Sequence, residues 1–160
     1  MNDPAGRILL LGLGNDILSD DAVGLRVAAE IRERFAGREK ITVLESTEMG
    51  LALLDLIVGF DTLVIVDAVQ TEKVPVGFVH EIDAAELRAL PTVSPHFLGI
   101  SEMLALGSKL GLAMPRRVSI FAVEVGDPLT VGTALTPALQ NAFNRIVDRI
   151  AQALARIAQP

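Results

Sequence analysis

Apolar positions along the chain follow two alternating patterns. Ile8-Leu11, Ile41-Leu44, Thr62-Val66 and Val118-Val123 are short, nearly unbroken apolar runs with the length of buried strands. Between them the spacing turns helical. Val23, Val27, Ile31 and Phe35 recur at every fourth position, with Arg26, Glu30, Arg32 and Glu33 mostly on other faces, which predicts an amphipathic helix ending near Ala36-Gly37. The leucine-rich stretch from Gly50 to Val58 reads as a shorter helix. Thr136-Pro137 opens the last helix, whose apolar face is Leu139, Phe143, Ile146, Ile150 and Leu154.

Three further segments are less regular. Phe78-Ile82 alternates and suggests a half-exposed strand near a sheet edge. Asp83-Ala84-Ala85-Glu86 resembles an N-cap with its acidic N3 partner, opening a short helix that ends before Pro91. Ser94-Pro95 reads as the start of another, running to about Lys109. The loop from Glu124 to Leu135 is long and rich in Gly, Thr and Pro, as functional loops often are. Strands alternating with helices imply an α/β fold: one three-layer domain over residues 1–160, with a mostly parallel twisted sheet of about five strands between helices.

The chemistry gathers at the ends of the predicted strands. Arg7 to Gly24, RILLLGLGNDILSDDAVG, reads as a buried strand, a glycine turn and a helix start. Such turns commonly hold phosphate, because glycines let the backbone approach and the helix N-terminus offers bare N–H groups. Here Asp20 and Asp21 occupy that place, so the turn suits a cation instead. Glu45 follows the second strand and Asp67 the third. With the first strand between the other two, strands about 4.8 Å apart let these acids converge, and carboxylates that close call for a shared proton or a cation. Taken singly, Asp20 fits an N-cap, Asp67 a turn former and Glu45 a solvated strand end.

Of the histidines, His80 lies in the alternating strand and reads as a surface or edge residue. His96 lies at a predicted helix start, where the dipole keeps a neutral imidazole available to a metal. Two carboxylates and an imidazole form a donor set open to nickel, zinc, iron or manganese.

Composition removes several alternatives. The 160 residues include no Cys, hence no disulfide, thiolate nucleophile or Cys-ligated metal centre. A net charge of −6, with no basic run beyond Arg116-Arg117, argues against nucleic acid, and 4% aromatic residues without Trp or Tyr offer no base-stacking platform. Although 51% of residues are hydrophobic, no run approaches the bilayer-spanning length of about 18–20. MNDPAGR leads straight into a strand without a basic region and apolar core, so the expectation is a cytoplasmic protein with no membrane partner. There is no G-x-S-x-G elbow and no H-E-x-x-H, and Ile17 stands where a dinucleotide fingerprint needs its third glycine.

Gly12-Leu13-Gly14-Asn15 with Ser19-Asp20-Asp21 and Gly24, then Val66-Asp67-Ala68, then Ser94-Pro95-His96 with Leu98-Gly99, together resemble the hydrogenase maturation proteases. The resemblance covers nearly the whole chain. It implies an endopeptidase that removes the C-terminal extension of a nickel–iron hydrogenase large-subunit precursor, and a twisted five-stranded sheet between helices. Carried over by motif, it also implies that Asp21, Asp67 and His96 bind metal and act in catalysis. The metal would be nickel supplied by the substrate, with no organic cofactor and water as the nucleophile. Two departures stand out. Ala22 replaces a glycine that commonly follows the acidic pair, and Glu45-Ser46-Thr47-Glu48 replaces a stretch usually resembling Asp-Gly-Gly-Thr. The alternative functions are a module that binds the large subunit without cutting it and a nucleotide-binding domain, which Asp20-Asp21 disfavour by repelling pyrophosphate.

Overall fold

The computed structural model describes residues 6–83, 86 and 99–159. β1 (Ile8–Leu13) is buried along its whole length, as its apolar run requires of a strand covered on both faces. It pairs in parallel with β2 (Ile41–Ser46) on one side and β3 (Thr62–Val69) on the other. β5 (Arg117–Glu124) continues the parallel sheet beyond β3, and β4 (Val79–Asp83) closes it as an antiparallel edge. The strand order β2-β1-β3-β5-β4 is that of the predicted α/β class, and β1 lies between β2 and β3, as the sequence reading required.

Alternating residues of each strand feed two cores. Ile8, Leu10, Val64, Val66 and Phe121 pack against α1 (Val23–Arg34) and α4 (Pro137–Ile157). Leu9, Leu11, Leu63, Ile65 and Ile120 face the other way, toward α2 (Leu54–Ile57) and α3 (Ile100–Lys109). The leucine-rich segment before β3 is thus a 3-10 turn over Gly50–Leu53 followed by the single turn of α2.

Two glycines set α1 directly on the sheet. A Cβ on Gly24 would lie 2.2 Å from the Leu13 carbonyl oxygen and 2.4 Å from that of Val66, and one on Gly12 would lie 2.3 Å from the Gly24 carbonyl oxygen. The first turn of α1 therefore touches the backbone of both β1 and β3, and nothing larger than hydrogen fits between.

Several element boundaries differ from the sequence reading. β3 does not end at Asp67 but runs on to Val69, because β5 continues to pair with it as far as Val69↔Glu124. The helix expected from Ser94-Pro95 to Lys109 is not continuous: Gly99 has φ +84°, a left-handed conformation that no α-helix passes through, and α3 begins at Ile100. Ser94 and Pro95 lie outside the described residues, as does most of the short helix expected after Asp83, which is itself the last residue of β4. Among the described residues no helix is long and apolar enough to cross a membrane.

Candidate functional site

β1 ends at Leu13, and Gly14-Asn15 turns the chain into a loop that returns at Ser19 to a 3-10 turn over Asp20–Ala22, immediately before α1. The two carboxylates of this turn have different tasks. Asp20 is wholly buried, and its Oδ2 accepts the N–H groups of Gly126 (3.0 Å) and Asp127 (2.9 Å) and the Thr136 hydroxyl (2.8 Å). Its Oδ1 accepts the Thr136 N–H at 2.7 Å. Asp20 is thus no helix cap; it holds the β5–α4 loop from inside, with both carboxylate oxygens engaged. Asp21, 9% exposed, accepts the Asn15 N–H on Oδ2 at 3.1 Å, which orients its carboxylate at the end of β1.

Asp67 is completely buried in β3, and its Oδ1 accepts the Ala68 N–H at 2.8 Å. The 3-10 turn carrying Asp21 packs against β3, so the elements bearing these two acids are neighbours at the carboxyl end of the parallel sheet. This is where ligands bind in open α/β folds.

Glu45 does not join them. Strand side chains alternate, so Glu45 shares the face of Ile41 and Val43, on the α1 side, whereas Asp67 shares that of Ile65 and Val69, on the α2–α3 side. The Glu45 carboxylate instead meets the Arg32 guanidinium of α1 at 2.6 Å. The convergence expected of the strand-end acids is therefore corrected: Glu45 lies on the wrong side of the pleat. It lines an open groove of about 560 Å³ with Asp16, Ala22, Arg26, Ser46 and Glu48.

His96 lies outside the described residues. Among the described residues no three His, Asp or Glu side chains form a metal-holding group, so Asp21 and Asp67 supply at most part of a donor set. Their carboxylate chemistry suits a hard or borderline divalent cation.

One buried acid carried no signal in the sequence beyond its place at the end of an apolar run. Glu124, 1% exposed, accepts the Thr71 N–H at 2.7 Å, the Thr71 hydroxyl and the Glu72 N–H at 3.4 Å. His80 Nε2 stands 3.2 Å from the same carboxylate, and Phe78 packs edge-on against the imidazole. His80 is thus a half-buried partner of Glu124 on the edge strand, consistent with a structural task. Asp127, at the surface, is held below the usual carboxylate range by its hydrogen bonds to the Thr130 side chain and to the Thr130 and Leu129 N–H groups.

A single domain with a mostly parallel five-stranded sheet between helices, and buried acids at the carboxyl ends of its strands, places the chain in the α/β class. The hydrogenase maturation protease model, named HycI, matches residues 25–153, and the chain belongs to that family. The hydrogenase 2 maturation protease of Escherichia coli K12 is 29% identical over 150 residues, which are 92% of this chain and 90% of that protein. The hydrogenase expression/formation protein HupD of Bradyrhizobium diazoefficiens is 26% identical over 151 residues, covering 93% of this chain and 78% of the relative. Among solved structures, the hydrogenase maturating endopeptidase HybD from E. coli superposes with a TM-score of 0.80 at 27% identity, over 94% of this chain and 93% of that one. HybD from Thermococcus kodakarensis, at 24% identity and a TM-score of 0.69 over 93% and 99% of the two chains, shares the fold.

Proposed function

We propose that this protein removes the C-terminal extension of a nickel-loaded nickel–iron hydrogenase large-subunit precursor, in the cytoplasm, with Asp21, Asp67 and His96 recognising the nickel. The observation that supports this reading is the position of two buried acids, Asp21 and Asp67, on adjoining elements at the carboxyl end of the sheet. Backbone N–H donors hold both carboxylates in place, and carboxylate oxygens suit a divalent ion brought in from outside. The nickel belongs to the substrate. The imidazole of His96 would complete an oxygen–oxygen–nitrogen set around it, and a precursor lacking nickel would not be gripped.

With no Cys in the chain, water is the nucleophile in this reading. A carboxylate of the pair accepts a proton from that water as it attacks the scissile carbonyl, and the proton then passes to the leaving amine. Bound nickel would polarise the reacting groups.

The test is incubation of candidate precursors, with and without nickel, followed by mass spectrometry. Wild-type protein shortens only the nickel-loaded precursor, and Asp21→Ala, Asp67→Ala and His96→Ala abolish shortening while retaining a wild-type circular dichroism spectrum. Undiminished cleavage by the His96 variant overturns the assignment. A precursor that binds but keeps its mass identifies a carrier that does not cut.

A further inference from the structure

Beside the proposed site, two loops are sewn together at the rim of the sheet, and they hold large apolar side chains out into solvent. Ile17 is 58% exposed, Leu129 78% and Val131 76%. All three belong to one surface: Leu18 and Val131 form an isolated antiparallel bridge, Gly132 N–H donates to the Ile17 carbonyl at 2.9 Å, and Ser19 N–H donates to the Thr130 carbonyl at 3.0 Å.

The backbone under this surface is fixed. Asp127 Oδ1 accepts the N–H groups of Leu129 (3.1 Å) and Thr130 (3.0 Å), closing the turn that presents Leu129. Buried Asp20 holds both ends of the segment through Gly126, Asp127 and Thr136, and the Ser19 hydroxyl donates to the Ala134 carbonyl at 2.9 Å. These bonds hold the backbone that presents the three side chains to solvent. Exposed apolar side chains grouped within a polar rim mark a protein-binding surface.

We infer that Ile17, Leu129 and Val131 form a docking surface for the folded body of the precursor, separate from the C-terminal segment to be cut, and this rests on the function proposed above. Two features select that occupant. The patch adjoins the proposed site: Ile17 N–H donates to Asn15 Oδ1 at 3.1 Å and Asn15 N–H donates to Asp21 Oδ2 at 3.1 Å, so a partner that presents a chain end to Asp21 brings its own body against this rim. Charge sets the partner's chemistry. The flanking Asp16 and Asp127 are acidic, Asp127 is kept ionised by its N–H donors, and the nearby Arg26 guanidinium is engaged with the Thr133 carbonyl. The complementary face is therefore apolar with a Lys- or Arg-bearing rim. A second copy of this chain, with −6 overall and the same acidic residues at this face, does not offer that complement.

The experiment measures binding and processing of nickel-loaded precursor by wild type and by the triple variant Ile17→Ser, Leu129→Ser, Val131→Ser. These side chains are exposed, and an unchanged melting temperature establishes that the variant folds. We expect the Kd and KM for precursor to rise roughly tenfold or more with kcat within about twofold, the pattern of lost docking energy remote from the reacting bond. Wild-type affinity should also fall as salt is raised. An unchanged Kd in the variant overturns the docking surface, as does a wild-type dimer that the triple substitution splits. If wild type binds precursor but leaves its mass unchanged, the protease reading fails, and the Kd ratio still decides the docking surface on its own.

Discussion

Asp20 grips Thr136 twice, taking its backbone N–H on one carboxylate oxygen at 2.7 Å and its hydroxyl on the other at 2.8 Å. Thr136 is the residue that precedes α4, so this pair ties the entrance of the last helix to the turn that follows the first strand. Asp20→Ala would leave four donors in and around a buried pocket without their acceptor. Hydrogen bonds to a charged group contribute about 1.5–3 kcal/mol each and are not additive, so we expect a net loss of about 3 kcal/mol or more by urea denaturation. Asp20→Asn should recover part of it, since one oxygen still accepts.

Gly24→Ala should destabilise the protein by about 3 kcal/mol or more, because the added methyl meets backbone oxygens of Leu13 and Val66 that no rotamer change can move. Gly132→Ala is the control: a Cβ there meets open space, and its melting temperature should stay close to that of wild type.

Replacing His80 by Ala removes its 3.2 Å contact with Glu124 but leaves that carboxylate its Thr71 and Glu72 donors. A loss of about 1 kcal/mol is expected, with precursor processing retained. Loss of processing in this variant would bring His80 into the reaction.

Asp127 has its pKa lowered by the donors of Thr130 and Leu129. A group depressed in the folded state contributes stability above its unfolded pKa and loses it as pH falls through the folded value. The 127–130 turn should therefore keep its order as pH is lowered to the normal carboxylate range and loosen only below it. Amide exchange at Leu129 and Thr130 reads this directly, and Asp127→Asn should remove the pH dependence.

Glu45→Gln should change stability by less than about 0.5 kcal/mol, because the Arg32 pair it breaks is partly exposed, with side chains 48% and 34% accessible. Binding of a candidate precursor by this variant shows separately whether the groove beside Glu45 touches substrate.

Local patterns made much of the fold legible. The apolar runs located β1, β3 and β5, the fourfold spacing located α1, and Thr136-Pro137 marked the start of α4. The same patterns could not show which face of the pleat Glu45 takes, because that depends on register with β1 and on the helices above. The tasks of Asp20 and Glu124 escaped for another reason. Their partners lie far along the chain, Thr136 at a separation of 116 residues and Thr71 at 53, and no window of sequence contains both ends of such a bond. Gly99 shows the limit of helix signals: Ser94-Pro95 predicts a start upstream, but the left-handed backbone at Gly99 puts the start of α3 at Ile100.

Asp67 sits within a strand rather than in a loop beyond it, and this restricts the protein's length as well as its composition. Adding or deleting one residue between Thr62 and Val66 would carry the same carboxylate to the opposite side of the sheet, into the packing beneath α1. Insertions and deletions can accumulate in connections such as the one between β3 and β4, while the five positions ahead of Asp67 must keep their number whatever apolar side chains fill them.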